Sequence, residues 1–487
     1  MRRSTVTACS VTLVAAVSTV VLVPRVAESE RFGTVTPAGW RVDPAGSQIS
    51  VDRNERGFQG PLGSALSPDG RRLLSVSSGA ARIDSTDLFD LGARRRESFV
   101  PYDATKAPGE AVFYGVAWSP DGRKAWASGG GQNVVHVYNV DASGITETGQ
   151  VPAPFFPAGM AYGRTPTGDR LYVVNNLSGP ASNTTGNPPG HQVTVIDPAT
   201  DAVRKVIDLG SPLQPIGVTF DRTGAFAYVT NWMGRSVSVI DTATEAKVAD
   251  LELSPPASPL QADHPSGVAA NPRRDEVYTT NSNSDTVSVI DSRSNRLVDT
   301  IDVALVPGGP KGANPDGLAV SPDGKTLYVA EAGENAVAVV DLDRRRTQGF
   351  VPTGWYPADV EVTPDGRQLV VTNTNDSGAG PNPCGPRTPR TDCPPKDPQR
   401  DDPGRDSIDP QYSGSMIKGS IQVVDIARNR GQLRASTARV RRNNQVTARS
   451  RPKPRALDSI KHVIYVVKEN RTYDQVFGDL GKGNGDP

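Results

Sequence analysis

A seven-bladed β-propeller, an all-β fold, is the architecture that this sequence predicts, and three observations lead to it. One unit recurs seven times along the chain, with corresponding positions 42 to 58 residues apart, and its most regular copy runs from Pro215 to Asp241. Each unit contains short segments rich in β-branched and aromatic residues, a composition typical of strands. Repeats of this length indicate propellers or solenoids, and four antiparallel strands make one propeller blade.

The first segment of each repeat predicts the innermost strand of a blade. Segments such as Gly217–Phe220 are too short and too rich in β-branched residues to be helices. A glycine marks the same position in six repeats, and an aspartate takes that position in the seventh. These residues are Gly63, Gly115, Gly159, Gly217, Gly267, Gly317 and Asp359.

The remaining strands follow a turn with a recognisable sequence. In Ser67-Pro68-Asp69-Gly70, proline sets φ at the second turn position and glycine accepts the left-handed conformation that reverses the chain. In the most regular repeat, we then expect a second strand through Tyr228–Asn231, a third through Val237–Asp241 and a fourth through Lys247–Leu253.

Closure of the ring requires a strand from the far end of the chain. The segment Gly33–Val51 precedes the first repeat, and we expect it to pair with the strand near Ser420–Ile426 in the last blade. The third strand of the first blade is hard to place after Ser75–Gly79. An insertion rich in proline, glycine and aspartate, Asn373–Lys418, divides the last blade.

The repeats resemble the YVTN family of β-propeller repeats, and Tyr228–Asn231 spells that motif. The resemblance covers residues 33–426, the predicted propeller. It implies a rigid platform and carries no implication about chemistry, because propellers host unrelated functions.

The first 29 residues predict a signal peptide. Arg2 and Arg3 form a basic start, Val11–Val23 is an apolar run of signal length, and Ala27-Glu28-Ser29 offers small residues for cleavage. An uncleaved anchor is the alternative, because Pro24-Arg25 precedes the cleavage site. A run of thirteen residues is short for a membrane span, so we expect export to the periplasm, cell surface or medium, with no transmembrane span after cleavage.

The cysteines agree with an exported protein. Cys9 lies in the signal segment, and Cys384 and Cys393 remain, with eight residues between them, within the insertion of the last blade. We predict that these two form a disulfide that staples one loop.

Charge excludes nucleic acid as a partner and predicts a linker. The chain has 53 basic and 53 acidic residues, so no overall field draws it to nucleic acid. Between residues 427 and 455 there are ten basic residues and no acidic one, and we expect a flexible basic linker over 427–458. We expect a monomer that binds an unidentified ligand or protein on its faces.

Possible catalytic groups in the propeller are few. The four histidines occupy unmatched positions and are expected to be packing or surface residues. The inner strands carry Asp316, Asp359 and Glu361, which could bind a cation in a central channel. Other repeats have uncharged residues at these positions, so an ordinary polar lining is the favoured interpretation, and we expect no cofactor in the propeller.

The last 29 residues have a different character. Ile460–Val467 is a continuous apolar segment, as in strands buried within parallel sheets, and it leads directly into Lys468–Gly478. This predicts a short, truncated α/β segment after the propeller. Carboxylate and amide oxygens at the end of such a strand suit hard divalent ions.

Residues 459–487 resemble the start of the phosphoesterase family that includes phospholipases C and acid phosphatases, with an alkaline-phosphatase-like fold. The resemblance rests on Glu469-Asn470-Arg471-Thr472, followed by Asp474 and Phe477-Gly478. It implies that Glu469 and Asn470 ligate a divalent metal ion. It also places the nucleophile and the other ligands beyond Pro487, so we expect the 487-residue chain itself to be inactive.

The leading hypothesis is therefore an exported propeller platform that forms the N-terminal part of a metal-dependent phosphoesterase. The alternative is a secreted or surface-associated binding propeller that acts alone. A third hypothesis, a lactonase-type hydrolase, would use the propeller's own channel and would need a metal near Asp316 and Asp359.

Overall fold

The computed structural model describes residues 36, 39–51, 60–78, 83–103, 110–178, 189–211, 213–253, 263–376, 419–446, 460–462 and 464. The chain divides into two compact units, Met1–Gln445 and Val446–Pro487. None of the helices formed by the described residues is long and apolar enough to span a bilayer.

The first unit contains seven four-stranded antiparallel sheets, which confirms the predicted propeller. Within each of the first six blades the strands follow one another in sequence from the inner to the outer edge. The strands of blades 1 to 3 are β2 Pro61–Leu66, β3 Arg72–Ser77, β4 Ile83–Asp90, β5 Arg95–Asp103; β6 Val116–Trp118, β7 Lys124–Ser128, β8 Val134–Asp141, β9 Gly144–Pro152; β10 Pro157–Thr165, β11 Gly168–Leu177, β12 Pro189–Asp197 and β13 Ala202–Asp208. A 3₁₀ turn, Gly130–Gln132, lies in blade 2.

The later blades are the more regular ones. Their strands are β14 Pro215–Phe220, β15 Phe226–Asn231, β16 Ser236–Asp241, β17 Ala246–Glu252; β18 Pro265–Ala270, β19 Glu276–Asn281, β20 Thr286–Asp291, β21 Arg296–Asp302; β22 Pro315–Val320, β23 Thr326–Glu331, β24 Ala336–Asp341, β25 Arg346–Pro352; β26 Trp355–Val362, β27 Gln368–Asp376, β28 Ser420–Asp425 and, from the N-terminal end, β1 Ser47–Ser50.

The ring closes through the N-terminal strand, as the sequence predicted. Strand β1 pairs antiparallel with β28, with Ile49 opposite Ile421 and Ser50 opposite Ser420. The Gln422 side chain adds a bond from its amide to the carbonyl of Ala45 at 2.8 Å. Both ends of the propeller therefore contribute to one blade.

The predicted turn chemistry is also present. The Ser67 hydroxyl donates to Asp69 Oδ1 at 2.7 Å, and Arg72 N–H donates to the Ser67 oxygen at 3.0 Å. Gly70 has φ of +69°, the left-handed conformation that the turn requires. The turn therefore positions β3 against β2 by local interactions alone.

Aromatic residues of the second strands occupy the spaces between blades. The side chains of Tyr172, Tyr228 and Tyr278 are fully buried. Burial of these large side chains, together with the valines beside them, provides the apolar contact that holds successive sheets together.

The structure contradicts the predicted flexible linker over most of its length. Residues Ile426–Asn443 form a helix, α1, whose first turn is capped by Asp425, since its carboxylate accepts from Arg428 N–H at 2.7 Å. The helix lies against β25, where Phe350 N–H donates to Thr437 Oγ1 at 2.9 Å.

The inward face of α1 explains why the sequence was misread. Positions 426, 429, 433, 436, 440 and 443 follow a seven-residue spacing and face the propeller, but three of them are Asn429, Ser436 and Asn443. A stripe that is half polar lacks the apolar pattern by which an amphipathic helix is recognised. The arginines of α1 lie outside this stripe, and all of them except Arg439 are exposed.

In the second unit, the described residues do not show the strand expected over Ile460–Val467. Residues 460–462 and 464 carry no strand, and the side chains of Ile460 and Ile464 are 52% and 88% exposed. These side chains have no sheet or helix covering them among the described residues. The rest of the expected strand lies outside the described residues.

Candidate functional site

The central channel is bordered by the inner strands of all seven blades. The glycines that recur in the repeats allow these strands to approach closely. A Cβ atom on Gly115 would lie 2.1 Å from the carbonyl oxygen of Ala158, and a Cβ atom on Gly159 would lie 2.2 Å from the carbonyl oxygen of Ile216. The cavity within the ring measures about 180 Å³, its lining includes the carboxyl groups of Asp359 and Glu361, and Asp316 directly precedes the lining residue Gly317.

Asp359 replaces the glycine of the other repeats and joins the last blade to the first. Its Oδ2 atom accepts from Ser64 N–H at 2.9 Å and from the Ser64 hydroxyl at 3.0 Å. Thr372 Oγ1 donates to the same hydroxyl at 2.9 Å. Asp359 thus holds blades 7 and 1 together at the edge of the channel.

The channel carboxyls are held partly in their protonated forms. Burial, followed by the charge of Asp359, raises the pKa of Asp316 to about 7, although a hydrogen bond from Ser266 opposes the shift. Burial also raises the pKa of Asp359 to about 6, against hydrogen bonds from Ser64 and Val360. Each side chain is only half-buried by surface area, because water reaches it inside the channel while protein surrounds it.

Two more groups share this electrostatic environment. Burial and the nearby charge of Asp359 raise the pKa of Glu361 well above its ordinary value. Burial and the charges of Asp316 and Asp359 raise the pKa of the Tyr114 phenol. Asp316 and Asp359, with pKa values near 7 and 6, can exchange protons near neutral pH, which is the property that acid–base catalysis requires, whereas the Tyr114 phenol keeps its proton there.

Metal binding by the propeller is a separate question. Within the described parts of the chain, no group of three or more His, Cys, Asp or Glu residues is arranged to hold a metal ion. The pair Asp316 and Asp359, where the sequence placed a possible cation site, therefore has no third such ligand among the described residues.

A second acidic cluster was missed by the sequence analysis. Glu331 is 0% exposed, and neither of its carboxylate oxygens has a hydrogen-bond partner. Burial, followed by the charges of Glu334, Asp285 and Asp302, raises its pKa well above the ordinary value.

Comparison with blade 4 explains why Glu331 lacks partners. In blade 4 the corresponding residue is Asn231, whose amide donates to the hydroxyls of Ser236 and Ser238 at 3.1 and 2.9 Å. In blade 6 the positions of those serines are Ala336 and Ala338. The sequence signal was therefore a glutamate in place of the motif's asparagine, combined with the loss of both hydroxyls.

His136 behaves as the sequence predicted for a packing residue. Its ring is 0% exposed, with Nδ1 2.9 Å from Glu147 Oε1 and Nε2 3.0 Å from the carbonyl oxygen of Ala111. The predicted metal ligands Glu469 and Asn470 lie outside the described residues. So do Cys384 and Cys393, and their pairing stays a prediction.

Comparison with known proteins agrees with the propeller fold. Residues 265–380, which span blades 5 and 6 and much of blade 7, match a protein-family model described as lactonase, 7-bladed beta-propeller. The fold is a seven-bladed propeller, and this part of it is similar to the lactonase propeller family. The matched region includes Asp316, Asp359 and Glu361.

Among solved structures, the chain is similar to hydrazine synthase of Kuenenia stuttgartiensis. The two share 18% identity over 66% of this chain and 94% of that chain, with a TM-score of 0.52. At this identity the similarity shows the fold alone. No curated protein matches the chain.

Proposed function

We propose that this protein is an exported propeller platform that carries the start of a metal-dependent phosphoesterase unit. The observation behind the proposal is the sequence Glu469-Asn470-Arg471-Thr472, which follows an apolar segment and resembles the opening motif of that phosphoesterase family. The signal-like residues 1–29 support export.

The propeller has the properties of a platform. Its ring is closed by strands from both ends, and α1 is fixed to its outer edge at several points. Besides the contact with Phe350, the Asn444 side chain donates to the carbonyl oxygen of Glu334 at 2.8 Å. A rigid body with an anchored C-terminal helix is suited to supporting a further unit.

Glu469 and Asn470 are the proposed metal ligands. Their oxygen donors suit a hard divalent ion such as Mg²⁺, Mn²⁺ or Ca²⁺, and Zn²⁺ also accepts carboxylate oxygen. A bound ion would polarise the phosphoryl group of the substrate. The role of the two residues in this proposal is to hold that ion.

The test uses protein produced from the complete reading frame that encodes these residues. We expect it to hydrolyse p-nitrophenyl phosphate when one of these ions is added. Glu469→Ala removes a metal ligand and is expected to lower kcat/KM by about 100-fold or more. The exposed Glu252 on β17 provides the control, and Glu252→Ala should leave the rate unchanged.

Two results would contradict the proposal. One is a lack of hydrolysis with every ion tested, and the other is full activity in the Glu469→Ala protein. A reading frame that stops after the codon for Pro487 would favour instead a binding propeller that acts alone.

A second candidate function is a lactonase-type hydrolase that works in the central channel. The observation that favours it is that the matched lactonase region contains Asp316, whose pKa of about 7 suits a general base at neutral pH. Asp359 is less suited to this role, because its carboxylate is engaged by Ser64.

For this candidate we expect hydrolysis of δ-gluconolactone faster than in buffer, with a rate that increases as pH rises through about 7 and Asp316 loses its proton. Asp316→Asn should abolish that increase and lower kcat by about 100-fold. Asp208→Asn, at an exposed carboxylate of β13, is the control. A rate equal to that of buffer, with or without added divalent metal, would rule this function out.

A further inference from the structure

A cavity of about 280 Å³ lies where α1 meets blades 6 and 7, far from the channel lining. Its walls include the side chains of Tyr328, Val351, Leu369, Val424 and Leu433. Four of these five residues are almost fully buried, and Leu433 packs against the same cluster. We call this cavity the seam pocket.

The seam pocket occupies a place that is filled in blades 3 to 6. In those blades, a residue with a left-handed backbone in the turn between the third and fourth strands reaches back to the preceding blade. Arg345 donates to Glu276 Oε1 at 2.6 Å, and Asn295 accepts from the Tyr228 hydroxyl. The turn residues that make such contacts are Asp201, Glu245, Asn295 and Arg345.

Blade 7 has no such turn, because its fourth strand comes from the N-terminal end of the chain. After Asp425 the chain enters α1 instead of turning back. No turn side chain therefore reaches Tyr328, and the unfilled space is the seam pocket. The cavity is a direct result of how the ring closes.

The carboxylates at the rim of the pocket are already engaged. Asp323, Asp341 and Asp343 receive hydrogen bonds from Ser321, Arg344 and Arg274, respectively. Asp341 and Asp343 are thereby paired with arginines, whereas the Ser321 hydroxyl and then the charges of Lys325 and Arg430 lower the pKa of Asp323.

The two cations at the rim differ from the carboxylates. Lys325 and Arg430 form no close ion pair with a residue in the described ranges, but the charges of both act on Asp323, and Arg430 also interacts with the Tyr328 hydroxyl. The two cations face one carboxylate, Asp323, so one positive charge is in excess above the apolar floor. That excess suits a molecule with an apolar body and one anionic group.

We propose that the seam pocket binds a small organic carboxylate with an aromatic or branched apolar body. The carboxylate accepts from Arg430 and Lys325, and the apolar body rests on Val351, Leu369 and Val424. A cavity of about 150 Å³ accommodates benzene, so the seam pocket has room for a phenyl ring and a short carboxylate arm.

The experiment measures binding of phenylacetate to the full chain by ligand-observed NMR. We expect saturable binding of phenylacetate. Phenylacetamide has the same shape without the charge, and we expect its affinity to be lower by at least about tenfold. Arg430→Met should weaken phenylacetate binding by about tenfold. Arg434→Met, one turn further along α1 and outside the pocket lining, should leave it unchanged.

Thr326→Trp provides an independent variant, since it fills the pocket from its rim without removing a charge. We expect it to abolish binding while the thermal unfolding temperature stays close to that of the parent. Equal affinity in the Arg430→Met and Arg434→Met proteins would overturn the proposal. Undiminished binding in Thr326→Trp would also do so, as would the absence of binding up to about 10 mM phenylacetate.

Discussion

Replacement of Gly159 by alanine is expected to destabilise the propeller by about 3 kcal/mol. The added methyl group would lie 2.2 Å from the carbonyl oxygen of Ile216 in the next blade, so two inner strands would have to move apart. Because the blades form a closed ring, a displacement at one junction strains the others. Urea denaturation at neutral pH measures the change in the free energy of unfolding.

Gly149 on β9 is the matched control. A Cβ atom at this position meets no other atom within 4 Å. Gly149→Ala is therefore expected to change the free energy of unfolding by less than about 0.5 kcal/mol. Similar decreases in the free energy of unfolding of the two variants would show that close approach of strands at the channel is not the reason for the glycine in the repeat.

The second large effect concerns the buried Glu331. Restoring the arrangement of blade 4 by the combined change Glu331→Asn, Ala336→Ser and Ala338→Ser is expected to stabilise the protein by about 2 kcal/mol at pH 8. The change removes a carboxyl group without partners and supplies two hydroxyls as acceptors for the new amide.

The change of this stability difference with pH tests the role of Glu331 more directly than a single measurement at pH 8. The pKa of Glu331 is raised in the folded state, so the unfolded state loses its proton first as pH increases. The contribution of this group to stability is fully present below the unfolded pKa of about 4.5 and is lost as pH rises toward the folded pKa. The advantage of the variant should therefore be larger at pH 8 than at pH 4.5.

Nearby carboxyls titrate in both proteins, so their contributions to the free energy of unfolding cancel to first order in this comparison. Among them, burial raises the pKa of Glu334 to about 7. A stability difference that is the same at both pH values would mean that Glu331 does not change its proton binding on unfolding. The measurement is again the free energy of unfolding in urea.

The sequence predicted the blades well because their strands depend on local patterns. It did not locate the third strand of blade 1, which is β4, because polar side chains interrupt its apolar pattern. Asp87 in this strand is 0% exposed and accepts from the Ser85 hydroxyl at 2.6 Å. A buried carboxylate that is held by a neighbouring hydroxyl cannot be distinguished from a loop residue in the sequence alone.

The candidate site was predictable only in part. The sequence placed Asp316, Asp359 and Glu361 at the channel, and the structure shows them in one electrostatic environment. The bond between Asp359 and Ser64 joins residues 295 positions apart, so only the closed ring reveals it. Likewise, Glu331 became recognisable through comparison of the blades in three dimensions.

Ring closure by the N-terminal strand also determines the order in which the protein can fold. The Ser420 hydroxyl donates to the Gln48 side chain across a separation of 372 residues. Blades 1 to 6 are each built from consecutive strands and can form as the chain becomes available, whereas the last blade must wait for both ends. Contacts at such sequence separation are slow to form, and we expect the closing step to limit the rate of folding. Until that step, β28 presents an unpaired edge that can mispair with another chain.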